Sequence, residues 1–202
     1  MEKKKTGALY KFNGRYLLPI EREFLPQLKQ WRNSQIKVLR QFKPLTNYDQ
    51  EKWFENLSED EHQVMFGITT FDEKCQKEVL IGYCGITNID FKNRRGEISF
   101  LADPGRVKDE KLYREDLLSV LYMLCKYGFE ELNLNKLFTE TFSFRKNNIK
   151  ILEDFGFKCD GILRNHHFTY GQYYDSIIRS LLSSEWKKIE NEMEKQNTHI
   201  KL

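Results

Sequence analysis

Residues 96–142 read GEISFLADPGRVKDEKLYREDLLSVLYMLCKYGFEELNLNKLFTETF. Glu97 to Ala102 reads as a strand, and Leu137 to Phe142 as another. Between them Leu112 to Leu132 carries Leu117, Leu118, Leu121, Leu124 and Phe129 at helical spacing, the stripe of a long helix with one buried face. A long helix between two strands brings the chain back to the end from which it left. The two strands then lie parallel, which a tight turn cannot achieve.

Outward from this unit the pattern changes. Upstream, Val64 to Thr70 and Val79 to Ile89 are β-rich and separated by the turn-like Asp72-Glu73-Lys74, and Asn93 to Gly96 supplies the next turn. These segments form an antiparallel meander ending in the Glu97 strand. Earlier still, Tyr16 to Ile20 is a short strand. Glu21 to Trp31 is a helix carrying Phe24, Leu25, Leu28 and Trp31, and a second helix starts at a Thr46 or Asn47 cap with Trp53, Phe54 and Leu57 on one face. Downstream, Asn148 to Phe155 is a helix ended by Gly156, Phe157 to Leu163 and Tyr173 to Leu182 are strands, and Ser184 to Gln196 is a polar helix with Ser184 as its cap. The predicted fold class is α/β: a mixed, mostly antiparallel sheet with one parallel pair and helices on both faces. Residues 1–14 are assigned to a tail, 15–186 to a single domain, and 187–202 to a polar helix and tail.

Composition narrows the function. The 202 residues include fifteen Phe and ten Tyr, which suits a packed core. The balance of 33 basic and 30 acidic residues gives a net charge of +3, too small to argue for nucleic acid. Lys3, Lys4 and Lys5 read as a solvated tail. No run approaches the length of a membrane span and no apolar segment follows the charged N-terminus, so neither membrane insertion nor secretion is expected. Cys75, Cys84, Cys125 and Cys159 are scattered, without His partners at zinc spacing, which points to reduced thiols, a cytoplasmic setting and no metal.

Several stretches resemble the GNAT superfamily of N-acetyltransferases, chiefly its ribosomal-protein and nucleotide-amino-sugar branches. They are Trp31-Arg32-Asn33, Ile81 to Ile86 followed by Ile89-Asp90, Gly96 to Phe100, Tyr127 to Leu134, Leu152 to Phe157, Gly161 to Arg164, Gly171 with Asp175, and Glu185-Trp186. The resemblance implies the GNAT-type sheet, with the parallel strands splayed, and an enzyme that moves an acetyl group from acetyl-CoA to a primary amine. A splayed strand leaves backbone groups for the pantetheine arm, and the N-terminus of the long helix suits a pyrophosphate.

By the same resemblance, Glu97 is the expected base and His167 a second proton-transfer group. Leu101 and Asp103 would supply backbone contacts to the cofactor arm, and Asn148 a side-chain contact. The phosphate loop is expected near Tyr113 to Leu117, which holds no glycine, so Arg106, Lys111 and Arg114 are expected to bind phosphates through side chains. Trp31, Arg32, Arg164, His166 and Tyr173 are expected on the acceptor side. The acceptor implied is a nucleotide-linked amino sugar of surface-polysaccharide synthesis, or a protein N-terminus, with a homodimer as a further expectation. A non-catalytic binding module of the same fold is the alternative.

Overall fold

The computed structural model describes residues 8–199, with the side chains of 196–199 left aside. The Lys3 to Lys5 cluster lies outside the described residues. Eight strands form one sheet in the order β1-β2-β3-β4-β5-β6-β8-β7. They are β1 (Tyr10–Phe12), β2 (Arg15–Pro19), β3 (Val64–Asp72), β4 (Lys77–Asp90), β5 (Arg95–Ala102), β6 (Lys136–Phe142), β7 (Lys158–Thr169) and β8 (Gln172–Leu182). The helices are α1 (Leu25–Ser34), α2 (Asn47–Asn56), the short α3 (Pro104–Val107), α4 (Glu110–Lys126), α5 (Lys146–Phe155) and α6 (Ser183–His199). β5 and β6 pair in parallel, as the strand-helix-strand pattern requires.

The chain forms two compact units, interleaved in sequence. The first comprises residues 8–85 and 100–123. Here β1 pairs with β2 and β2 with β3, both antiparallel. β1 corrects the expected tail, since Tyr10–Phe12 is a strand and Phe12 stacks on Tyr122 of α4 at 3.9 Å. α1 buries Leu28 and Trp31 in a cluster with Met65, Tyr83 and Leu101. α2 begins at a capping box: Asp49 N–H donates to Thr46 Oγ1 at 3.1 Å, and Thr46 N–H donates to Asp49 Oδ2 at 2.8 Å. The Thr46 donors hold the Asp49 carboxyl at about 2, and the helix starts where this reciprocal pair satisfies its first N–H groups.

The second unit comprises residues 86–99 and 124–199. Its core holds Leu124, Leu134, Leu137, Ile151, Leu152, Leu181 and Trp186. The long helix does not run unbroken to Leu132 as expected. α4 ends at Lys126, and Tyr127–Glu131 forms a wider π-turn. Gly128 in that turn faces Ile86 and Leu137 so closely that a Cβ there would lie 2.9 Å from Ile86 Cδ1. α5 ends at Gly156, whose φ of +117° closes the helix in the left-handed region. β7 extends six residues beyond the predicted Leu163, so His166 and His167 lie within a strand rather than before one.

Candidate functional site

Within the second unit, strand parity decides which side chains share a face. Leu137 meets Gly128, and Thr141 Oγ1 donates to Asn148 of α5 at 3.3 Å, so the odd-numbered residues of β6 face the helices. Phe138, Glu140 and Phe142 therefore face the opposite way. On β5 a Cβ at Gly96 would meet Ile86 and Leu134 on the helix side, which puts Glu97 on the face that carries Glu140. Glu97 and Phe138 are register partners in the parallel pair.

Glu97 is only 3% exposed, and its Oε2 accepts from Asn88 Nδ2 at 2.7 Å. A buried carboxylate needs such donors, because loss of its water shell otherwise outweighs what the fold gains. Glu140 Oε1 lies 3.7 Å from His166 Nε2. The His167 ring lies flat on Phe142, with centroids 3.7 Å apart and planes 7° from parallel. His167 Nε2 and the Ser176 hydroxyl are buried without a protein partner, and Ser176 is the register partner of Phe142. The face thus presents two carboxylates, an aromatic floor and two polar atoms still to be matched.

The other expected acceptor residues of this unit lie further out. Tyr173 is 63% exposed and sits edge-on to Phe168 at 5.0 Å, while Arg164 is exposed on β7. Asn148 is half-buried on α5 and accepts from Thr141. Leu152 of α5 is packed in the core.

The parallel register of β5 and β6 lasts only from Arg95↔Lys136 to Glu97↔Phe138, although β6 continues to Phe142. Beyond Phe138 that edge of β6 has no β5 partner in the register. Thr139, the next residue, is buried with an unmatched Oγ1. An extended ligand bearing amides fits such an edge.

In the first unit the expected phosphate loop is displaced. Tyr113 to Leu117 lies inside α4, and the connection before the helix is 103–109, which does contain Gly105. Two aspartates close this connection on itself. Asp103 Oδ1 accepts from Gly105 N–H at 2.7 Å, and Asp109 Oδ1 accepts from Leu112 N–H at 3.0 Å. The backbone N–H of Asp103 is also engaged, with the Ile81 carbonyl at 2.8 Å, so it is not open to a cofactor arm as expected.

Arg106 is held rather than displayed. Its Nε and Nη2 donate to Asp116 at 2.5 and 2.8 Å. Lys111 is exposed in the first turn of α4, and Arg114 is half-buried on the same helix. Trp31 is a core residue, 6% exposed, so its side chain packs instead of meeting a substrate, and the Leu101 side chain packs in the same cluster. Arg32 approaches Tyr83, whose hydroxyl is pushed up by burial and drawn partly back by that cation.

Asn88, Glu140, Phe142 and Asp116 were missed from sequence. Parity marks Glu140 once Leu137 is known to face the helix. No local signal marks the others.

Among the described residues no group of three or more His, Cys, Asp or Glu is placed to hold a metal, and no helix is long and apolar enough to cross a membrane.

Comparison with known proteins agrees with this architecture. Residues 19–178 match the family described as acetyltransferase (GNAT) domain. An uncharacterized N-acetyltransferase, p20 of Bacillus licheniformis, is 32% identical over 111 residues, 55% of this chain and 60% of its own length. A putative ribosomal N-acetyltransferase, YdaF of Bacillus subtilis, is 27% identical over 108 residues, 54% of this chain and 56% of its own. The match therefore spans little more than half the length of these relatives. Among solved structures, the spermidine N-acetyltransferase from Vibrio cholerae in complex with CoA and spermine superposes with a TM-score of 0.77 at 18% identity. It covers 87% of this chain and 99% of that one. With the family match extending over most of its length, and with the mixed sheet and single parallel pair that the fold demands, the chain belongs to the GNAT acetyltransferase family.

Proposed function

We propose that the chain is an acetyl-CoA-dependent N-acetyltransferase whose acceptor is a cationic primary amine. The observation that carries this reading is the buried Glu97 carboxylate, held by Asn88 on the face it shares with Glu140. Two carboxylates on one face attract an ammonium and repel a phosphate. A polyamine-like acceptor suits that field better than the nucleotide-linked amino sugar suggested by sequence, whose pyrophosphate would meet Glu140. The similarity to a spermidine acetyltransferase supports the same choice, at the level of fold.

The donor supplies an activated acetyl thioester. The open edge of β6 from Thr139, with Asn148, would hold its amide arm. Glu97 takes a proton from the incoming ammonium, directly or through one water, and so exposes the lone pair that attacks. Phe142 and the flat His167 ring give the amine an aromatic floor. Glu140 holds its charge in place until the proton leaves. Protonation of the departing thiolate needs no dedicated acid, since a free thiol titrates at about 8.5.

The test is release of free thiol from acetyl-CoA with spermidine, a nucleotide-linked amino sugar and a short peptide as alternative acceptors. Turnover with spermidine, lost about a hundredfold or more in Glu97→Gln, is the expected outcome. Turnover only with the sugar nucleotide or the peptide would overturn the cationic-amine assignment. A binding module of the same fold is the second reading, favoured by the aspartates that close the 103–109 connection on itself. Calorimetric titration with CoA separates the two, because the module would not bind it.

A further inference from the structure

Asn88 lies near the end of β4 with φ of 50°, inside the left-handed region that a strand interior does not use. Its neighbours explain the conformation. A Cβ at Gly96 would lie 2.5 Å from Ile86 Cγ2 and 3.6 Å from Ile89 Cγ1, so Ile86 and Ile89 approach the same side of β5. Both are buried, at 0% and 3% exposure. Residues three apart in a regular strand point to opposite faces, so one extra residue has been inserted between them. The strand bulges at 87–88, and the left-handed Asn88 absorbs the insertion. A bulge of this kind re-aims a side chain, and here it turns an amide onto Glu97, with Nδ2 2.7 Å from Oε2. The adjoining Thr87 hydroxyl donates to the Glu97 carbonyl at 3.4 Å, so the bulge meets the same residue through backbone and side chain.

We propose that Asn88 is a positioning residue for Glu97, and that the β4 bulge is the device that places it. The proposal rests on Glu97 acting as the base. A carboxylate on a flexible stem that has lost its water is free to turn toward any donor. A donor fixed by its backbone holds Oε2 in one place and so limits how the carboxylate can turn. Strain at a residue that also makes this contact marks a built feature, since the conformation persists only where the surrounding structure enforces it. Asparagine serves because it tolerates the left-handed region better than other side chains and still carries a donor.

The experiment separates positioning from folding. Asn88→Gly keeps the left-handed backbone without cost and removes only the amide. Its melting temperature should equal or exceed that of the parent. With spermidine as acceptor, kcat should fall about tenfold while KM for acetyl-CoA stays unchanged. Asn88→Asp, which sets a second carboxylate against Glu97, should fall further. In a Glu97→Gln background, Asn88→Gly should have no added effect, the non-additivity expected of a pair acting as a unit.

If Asn88→Gly keeps the parental kcat while Glu97→Gln is inactive, the positioning proposal is overturned and the base stands. If Glu97→Gln keeps full activity, the base assignment fails and the proposal with it. An arm that needs no acceptor follows the Asn88 side-chain amide resonances by NMR. They should move on Glu97→Gln, and unchanged resonances would overturn the contact.

Discussion

Arg15 donates its Nε to Asp116 Oδ1 at 2.9 Å across 101 residues of chain, and that carboxylate is 1% exposed. Arg106 meets the same carboxylate from the 103–109 connection. One buried charge thus ties β2, α3 and α4 together within the first unit. Removing it takes from Arg106 the carboxylate it donates to and leaves Arg15 with only the Glu115 carboxylate, 3.1 Å away, which costs more than a surface pair is worth. Asp116→Ala should destabilise the protein by about 3 kcal/mol, lowering the melting temperature by roughly 6–12 °C. Protease should also cut first between residues 103 and 109. Thermal melts and limited digestion check both.

Two glycines should respond differently to alanine. At Gly82 a Cβ would lie 2.4 Å from the backbone carbonyl of Leu101, which cannot move without disturbing the sheet. At Gly128 the nearest atoms are the side-chain ends of Ile86 and Leu137, at 2.9 and 3.0 Å. Part of the strain there is offset by the better helical propensity of alanine. Gly82→Ala should cost about 3 kcal/mol or more and Gly128→Ala about 1 kcal/mol, as read from urea unfolding.

Asp109 caps α4, and on the proposed function its negative charge would oppose a phosphate bound at that helix start. Asparagine caps as well as aspartate but is neutral. Asp109→Asn should keep the melting temperature and tighten CoA by about two- to fivefold in calorimetric titration, the scale of one charge at a helix end.

Glu140 Oε1 lies 3.7 Å from His166 Nε2 on the face it shares with Glu97. If it holds the ammonium of the amine equally before and during the reaction, its loss affects binding alone. Glu140→Gln should raise KM for spermidine about tenfold with kcat little changed. The difference should persist at high salt, because the Glu140 side chain is only 11% exposed and partly buried charges are screened little. Steady-state kinetics at two ionic strengths decide it.

Thiol chemistry offers a check on the packing. Cys84 and Cys125 are buried, and burial pushes both thiols well above their ordinary value, which disfavours the reactive thiolate and shields it from reagents. Cys75 and Cys159 are exposed. A disulfide-exchange reagent at pH 8 should titrate two thiols quickly and the remaining two only on unfolding.

Much of the fold could be read locally. The stripe from Leu117 to Phe129 fixed a long helix, the strands on either side of it fixed a parallel pair, and the Thr46 cap and the Gly156 stop fell where they do in the structure. The strand that carries Glu97 was also legible, and Glu97 lies on it. These signals act within one turn or one strand, so the chain carries them before any contact forms.

Tertiary structure decided the rest. Residues 113–117, expected as a loop, lie inside α4 because that helix begins where Asp109 caps it, not where a count back from Phe129 places it. Arg106 turned inward because Asp116, ten residues on, presents a buried carboxylate. The Asn88 bulge was invisible because a single inserted residue inverts strand parity without leaving any mark in composition. Asn88 meets Glu97 from the adjoining strand only nine residues away, and the bulge, which no composition records, decides that it does.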